Sequence, residues 1–471
     1  MKFYLPPAPA REPRFGRKLP TNLPLPFRRG EGWGEGSIFA LRFRGAKRVK
    51  LSGRLLLVLL LWPSTSPAAA ARWTFDDAGG AVGQTEAPVT SVAQLRTSQA
   101  AAARAGRLGL AERSGKGVSQ AVVPVQWEPA DAGSELRAVW LMPSGAAGER
   151  QFEWRESKAA FAPVMQATRD LVSGQIDLTD SGKPVLRYNY KAVEPGAVLD
   201  KVTPGNRIYA RARSDYVHPL YGLEGEVLTR DWSVDHPHHR GIYWAWPEVD
   251  YGTNRGDLHA LQKVFARPTG KVRLQGGPVF AEIEAENLWL WEDREPIVRE
   301  HAIIRAYRAT AQGRVVDLAF RFVALEDGVT LARRGMAHYG GLNVRMATPA
   351  SQDICVHTDA SNAVPRRAWS DLGGVFGGAG APSGLTVLQY QQNPDYPGDW
   401  VQYPNLSWCQ PTFPAPGTRY ALRRDHPLVL RYRLFIHAGG RPDEARASKL
   451  WDAFTAAAAP FAVFGQPRAE E

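Results

Sequence analysis

Three imidazoles crowd into four positions of the segment Asp235-His-Pro-His-His-Arg-Gly241, as His236, His238 and His239. The whole chain holds ten histidines in 471 residues, so random placement rarely gives this density, and packing does not ask for it. Imidazole titrates near neutral pH, and its neutral ring is a common metal ligand. An acid, Asp235, precedes the group and a guanidinium, Arg240, follows it. Pro237 fixes one backbone angle and interrupts any helix. The segment therefore reads as a loop or strand end with rings held in set directions.

Three chemistries fit. The first is general acid/base work on a sugar, with His236, His238, His239 and Asp235 as the catalytic groups. Trp244 and Trp246 would then stack on the ring, and Arg230 and Arg240 would hold substrate oxygens or a carboxylate. The second is metal binding. A His-x-His pair on a strand puts both rings on one face, so His236 and His238 could share a divalent ion, with a distant acid or histidine completing the site and His239 pointing away. The third is purely structural: rings that hydrogen-bond backbone carbonyls, and Arg240 paired with Asp235. No cofactor is assigned beyond that candidate metal.

Other polar residues stand out at lower weight: His218, Arg230-Asp231-Trp232, His259, Glu300-His301, His338-Tyr339 and Trp369-Ser-Asp371. Alternating acids at Glu282, Glu284 and Glu286 read as a solvated strand face. Gly340 and Gly341 read as a bulge or a close backbone approach. There is no Gly-x-Ser-x-Gly elbow, no dinucleotide-binding fingerprint and no His-Glu-x-x-His.

These residues need elements to position them. Val123, Val125 and Trp127 alternate, as do Leu136, Ala138 and Trp140, and Phe152 and Trp154, with turn clusters between them. That spacing predicts a small β-sandwich within 72–165, after an Ala- and Gln-rich stretch whose piece Gln99–Arg104 reads as low complexity. From about Thr168 the strands lengthen. Ile176 and Leu178, a turn at Asp180-Ser-Gly182, and Val185–Tyr188 form a hairpin. Further strands are expected at Val272–Leu274, Val279–Ile283, Leu288–Trp291, Ile297–Tyr307, Val315–Val323, Leu385–Tyr390 and Val429–Ile436. One helix is expected, Asp443–Ala458, stopped by Pro460. The fold class is mainly β: a small β domain, a large antiparallel β-sandwich over 168–465, and a C-terminal helix.

The net charge of +11 does not point to nucleic acid, because residues 1–72 carry 14 Lys/Arg and 3 Asp/Glu, and the remainder balances at 44 of each. Lys47–Arg54 is basic, Leu55–Trp62 is an apolar run too short to span a bilayer, and Pro63–Ala71 is rich in small residues. The expectation is a signal peptide over 47–71, cut near Ala70 or Ala71. Residues 1–46 then read as a spurious extension ahead of the true start. The mature protein is expected to be periplasmic or secreted, with no stable membrane insertion. Export permits disulfides; for Cys355 and Cys409, a bond and two unlinked thiols both stay open.

His218-Pro-Leu-Tyr, Thr229-Arg-Asp, Asp235-His-Pro-His-His-Arg-Gly-Ile, Gly340-Gly-Leu-Asn-Val-Arg345, Trp369-Ser-Asp and Asn393-Pro-Asp-Tyr-Pro occur in this order. Together they make the chain, from about Thr168 to Trp451, resemble a family of unknown function that carries the name methane oxygenase PmoA. The resemblance implies an exported bacterial protein of a kind often encoded among carbohydrate-degradation genes, with a carbohydrate substrate as its partner and a sandwich similar to that of galactose mutarotases. It also implies site positions at His218, Arg230, Asp235, His236, His238, His239, Arg240 and Asp371. The family often has Glu-Gly-Gly where this chain has Tyr339-Gly-Gly341, so His338 or Tyr339 would take that place. Oxygenase chemistry is not carried over, since the mature chain lacks an apolar run near the ~20 residues that one crossing requires. The leading expectation is a carbohydrate-active protein, whether hydrolase, lyase or epimerase. A His-ligated metalloenzyme and a non-catalytic polysaccharide-binding module are the alternatives.

Overall fold

A computed structural model describes residues 72–456, apart from 78–79, 115–116 and 131–134. The expected signal peptide, the expected extension over 1–46 and the end of the expected helix lie outside the described residues. Two eight-stranded antiparallel sheets dominate. The front sheet runs in the order Trp400–Tyr403, Trp408–Pro411, Leu342–Arg345, Ile242–Trp244, Tyr216–Leu220, Lys183–Asn189, Gln175–Asp180, Met165–Asp170. The back sheet begins with Val264–Gln275, Phe280–Trp291, Glu295–Tyr307 and Arg314–Ala324. It continues through Leu428–Ala438, Ser383–Gln389 and Trp369–Val375 to Ala350–Val356. The expected large antiparallel sandwich is therefore present.

Period-two patterning explains which face each strand buries. In Phe280–Trp291, Ala281, Ile283, Ala285 and Trp289 enter the core between the sheets. From the front sheet Ile242, Trp244, Leu342 and Val344 meet them. The turn at Ser181-Gly182 has φ of 51° and 79°, the doubly positive geometry of a tight hairpin, which asks for a small or glycine residue. The two short runs expected at 279–283 and 288–291 are one continuous strand, because Glu284 and Glu286 continue the alternation instead of breaking it.

The outer face of the back sheet is also buried. Phe280, Tyr307, Val315 and Phe435 pack against Ala447, Leu450 and Phe454 of the C-terminal helix, and against Val139 and Leu141 of the N-terminal region. That helix spans Glu444–Ala456, and the Asp443 carboxylate caps it by accepting from the Arg446 N–H at 2.8 Å. The N-terminal region holds a four-stranded and a three-stranded sheet, with two short helices. The alanine-rich piece read as low complexity is the helix Thr97–Arg104, whose Ala102 and Ala103 are buried against Leu108.

Of the acids at 282, 284 and 286, Glu282 departs from the expected solvated face, while Glu284 is partly exposed and pairs with the exposed Arg273. Glu282 is buried and accepts from Arg305 Nε at 2.6 Å. Glu128, from the N-terminal strand Gln126–Pro129, accepts from Arg305 Nη2 at 2.7 Å. The side-chain oxygen of Gln126 accepts from the Val279 and Phe280 N–H groups at 3.1 and 3.0 Å. The N-terminal strand thus covers Glu282, which a bare sandwich would leave wet. Cys355 and Cys409 are unlinked, and the Cys409 thiol contacts the Ser370 hydroxyl at 2.7 Å. Among the described residues no helix is long and apolar enough to cross a membrane.

Candidate metal centre

The outward face of the front sheet carries the site. Tyr243 and Asn343 are register partners there, as are Arg345 and Trp408. The segment 231–240 folds over this face as a loop closed at its base by the Asp231–Arg240 bridge. Its tip is a turn, with the His239 N–H donating to the His236 carbonyl at 2.9 Å. The expected His-x-His geometry required an extended chain. The turn instead brings the adjacent rings of His238 and His239 to a centroid separation of 4.7 Å, edge to face.

His259 completes the group from a separate loop. Its N–H and that of Leu258 both donate to the Trp246 carbonyl, and its Nδ1 shares a 3.0 Å hydrogen bond with the Tyr243 hydroxyl. Its ring lies 4.6 Å from His238 and 5.1 Å from His239. One ligand atom from each of His238, His239 and His259 falls within 4.8 Å of the other two. His239 and His259 are each 1% exposed, and His238 is half-buried. The Nδ1 atoms of His238 and His239 are buried without a hydrogen-bond partner. A buried polar atom left unanswered costs about 1–3 kcal/mol, so two on facing rings ask for something to bind.

The electrostatics keep these rings neutral. Burial, reinforced by Arg213, pushes His238 down to about 3. Burial does the same to His239, with His238 and Arg345 adding to it, and to His259, with the other two rings adding to it. Neutral imidazole is the ligating form. The Tyr243 hydroxyl fixes one nitrogen of His259 and frees the other, as an outer partner of a metal-bound ring does. Arg213 holds the loop by donating to the Leu258 and His259 carbonyls. Tyr339 and Trp408 wall one side, with centroids 5.3 and 5.9 Å from His259. Two surface clefts, of about 310 and 460 Å³, lie beside Arg367 and Trp400 and beside Arg211 and Phe265. The three histidines line neither.

The other expected site residues scatter. His236 is 39% exposed and its Nδ1 pairs with Asp235 at 2.9 Å; its ring stands 6.0 Å from His238 and 4.9 Å from His239, but the converging ligand atoms are those of His238, His239 and His259. Partial burial works against the Asp235 charge, yet hydrogen bonds from His236 and Ser233 hold its carboxyl down at about 2. Arg240 pairs with Asp231 instead of Asp235 and lies under Trp232, 3.5 Å from that ring. It is fully buried and braces the loop. His218 bonds the Thr229 hydroxyl at 3.0 Å. Arg230 and His338 are exposed. Trp244 and Trp246, expected to stack on a sugar, are core residues stacked on each other at 4.6 Å. Trp244 donates to Glu300 at 3.1 Å, between the sheets. Asp371 lies in the back sheet, bonded to His437 and Thr386 at 3.0 and 2.6 Å. Gly241 and Gly341 hold the face together at close approaches. Their φ values are 70° and 123°, and a Cβ would stand 2.3 Å from the Val217 carbonyl and 2.8 Å from the Pro411 carbonyl.

The sequence marks His259 only at lower weight and gives Arg345 and Trp408 no site role of their own. His259 stands twenty positions beyond His239 with no local pattern around it, and Arg345 and Trp408 look like ordinary strand residues. A family model for a family of unknown function (DUF6807) matches residues 175–452, and its description does not carry the methane-oxygenase name. No curated protein matches the chain.

Proposed function

The chain belongs to this family of unknown function, and we propose that it is an exported metalloenzyme with a three-histidine centre, acting on a sugar or glycoside. The carrying observation is the convergence of His238, His239 and His259 with two unanswered Nδ1 atoms. Three imidazoles suit zinc, copper, iron or nickel, and three protein ligands leave a coordination position open. Such an ion supplies Lewis-acid polarisation of a substrate oxygen and activation of water. The residues around it do the rest. Tyr243 orients His259, Arg213 pins the loop that carries it, and Tyr339 and Trp408 offer aromatic faces on the approach side. Kinship with the proteins named after methane oxygenase is part of this reading, but their named chemistry is not.

The metal reading is preferred to acid/base catalysis by the same histidines because rings this buried are poor bases near neutral pH. The test is elemental analysis of the full chain purified without a polyhistidine tag. About one transition-metal ion per chain, lost in His239→Ala and His259→Ala together with turnover, is the expected result. A metal-free chain that turns over a glycoside would overturn it.

A further inference from the structure

Beside the histidines stands a buried cation with no carboxylate in direct contact. Arg345 is 2% exposed. Its Nη2 donates to the Ser233 hydroxyl at 3.2 Å, while Nε and Nη1 have no partner. No carboxylate among the described residues pairs with it. Asp235 is reached only through Ser233, whose hydroxyl also bonds the Asp235 carboxylate. Its register partner Trp408 adds a second buried donor, an indole N–H that is likewise unanswered. The Trp408 ring is 4.8 Å from that of His239.

Burying an unpaired guanidinium is costly. The one charge that offsets the cost is Asp235, which acts across Ser233 without a direct contact; the remaining neighbours, the three histidines, Arg213 and the exposed Arg230, are neutral or positive. A divalent ion at the histidines would add to the positive field. We propose that Arg345 and the Trp408 indole form an anion subsite for a carboxylate carried by the substrate, so that the sugar acted on is a uronic acid. The inference rests on the three-histidine reading for its place beside the reacting centre, but not for the subsite itself. A planar carboxylate matches the guanidinium fork better than a tetrahedral anion does.

The test is calorimetric titration of the full chain with glucuronate and galacturonate, with methyl glucoside as neutral control and inorganic phosphate as competing anion. Saturable uronate binding is expected, at least about tenfold weaker in Arg345→Met, with Arg345→Lys between the two because it keeps the charge and loses the fork. Metal content is measured in parallel and should be unchanged by either variant, which also reports that the variants fold. Equal binding of methyl glucoside, tighter Arg345-dependent binding of phosphate, or uronate binding indifferent to Arg345→Met would each overturn the carboxylate subsite. A metal-free chain that still binds uronate through Arg345 would remove the metalloenzyme and leave the subsite standing. A metal-loaded chain without uronate preference would do the reverse.

Discussion

Arg305 and Arg345 are both strand guanidiniums buried from water, on opposite outer faces of the same sandwich. Arg305 has all three nitrogens answered, by Glu282 and Glu128. Burial works against its charge, yet those two acids hold its pKa above the usual guanidinium value. Arg345 has one nitrogen answered by a hydroxyl, and burial pushes it down to about 10. On the back face Arg433 follows the first pattern, paired to Asp317 at 2.6 and 2.9 Å, while single atoms of Tyr307, Asp371 and His437 there stay open without a buried cation among them. The front face follows the second, with open atoms on His238, His239, Arg345 and Trp408. Buried polarity that is fully paired is structural. Buried polarity left open on several converging side chains marks where the molecule expects company.

Substitutions can break this contrast. The largest effect is expected on the closed face. Glu282→Ala strands part of the Arg305 charge and should cost about 3–5 kcal/mol of unfolding free energy in a denaturant titration. A loss below about 1 kcal/mol would mean the two faces do not differ in this way. On the open face the cost should move from folding to binding. Tyr243→Phe removes the outer partner of His259 and should weaken metal affinity by about 10- to 100-fold, read by competition with a chromogenic chelator; unchanged affinity would detach Tyr243 from the centre.

Arg345→Met, by contrast, replaces a charge that no carboxylate touches with apolar volume. Without ligand it should leave the melting temperature unchanged or raise stability by about 1 kcal/mol, and a clear drop would show that the guanidinium is already satisfied. The smallest effect concerns Asp235. Its folded pKa of about 2 lies below its ordinary value of 3.8. It therefore stabilises the fold above pH 3.8, and that contribution fades as the pH falls towards 2. Asp235→Asn should lower the melting temperature slightly at pH 5 and not at all near pH 2. A difference that persists at pH 2 would assign the effect to packing.

Much of the fold was legible because alternation is a local property. The hairpin at Ser181-Gly182, the long strands and the capped helix at Asp443 could all be read from neighbouring residues. The helix Thr97–Arg104 was missed because an alanine run carries little amphipathic contrast and takes its burial from Leu108. Glu282 was misread because strand alternation reports that a residue faces outward, not what covers that face. The same limit governs the site. The histidine-rich segment announced itself by density, but the choice of His238 and His239 over His236 depends on a turn, and His259 arrives by tertiary contact. Trp244 and Trp246 follow the heptapeptide closely in sequence, yet the strand that carries them aims Trp244 inward, and Trp246 packs against it there.

The reach of Gln126 and Glu128 across to Phe280 and Arg305 has a consequence for where the chain could be divided. The family model matches from residue 175, but the half of the Arg305 ion cluster supplied by Glu128 lies upstream of that border. A chain cut at that border would leave Arg305 with Glu282 alone, and the Val279 and Phe280 N–H groups without the Gln126 oxygen that now accepts from them.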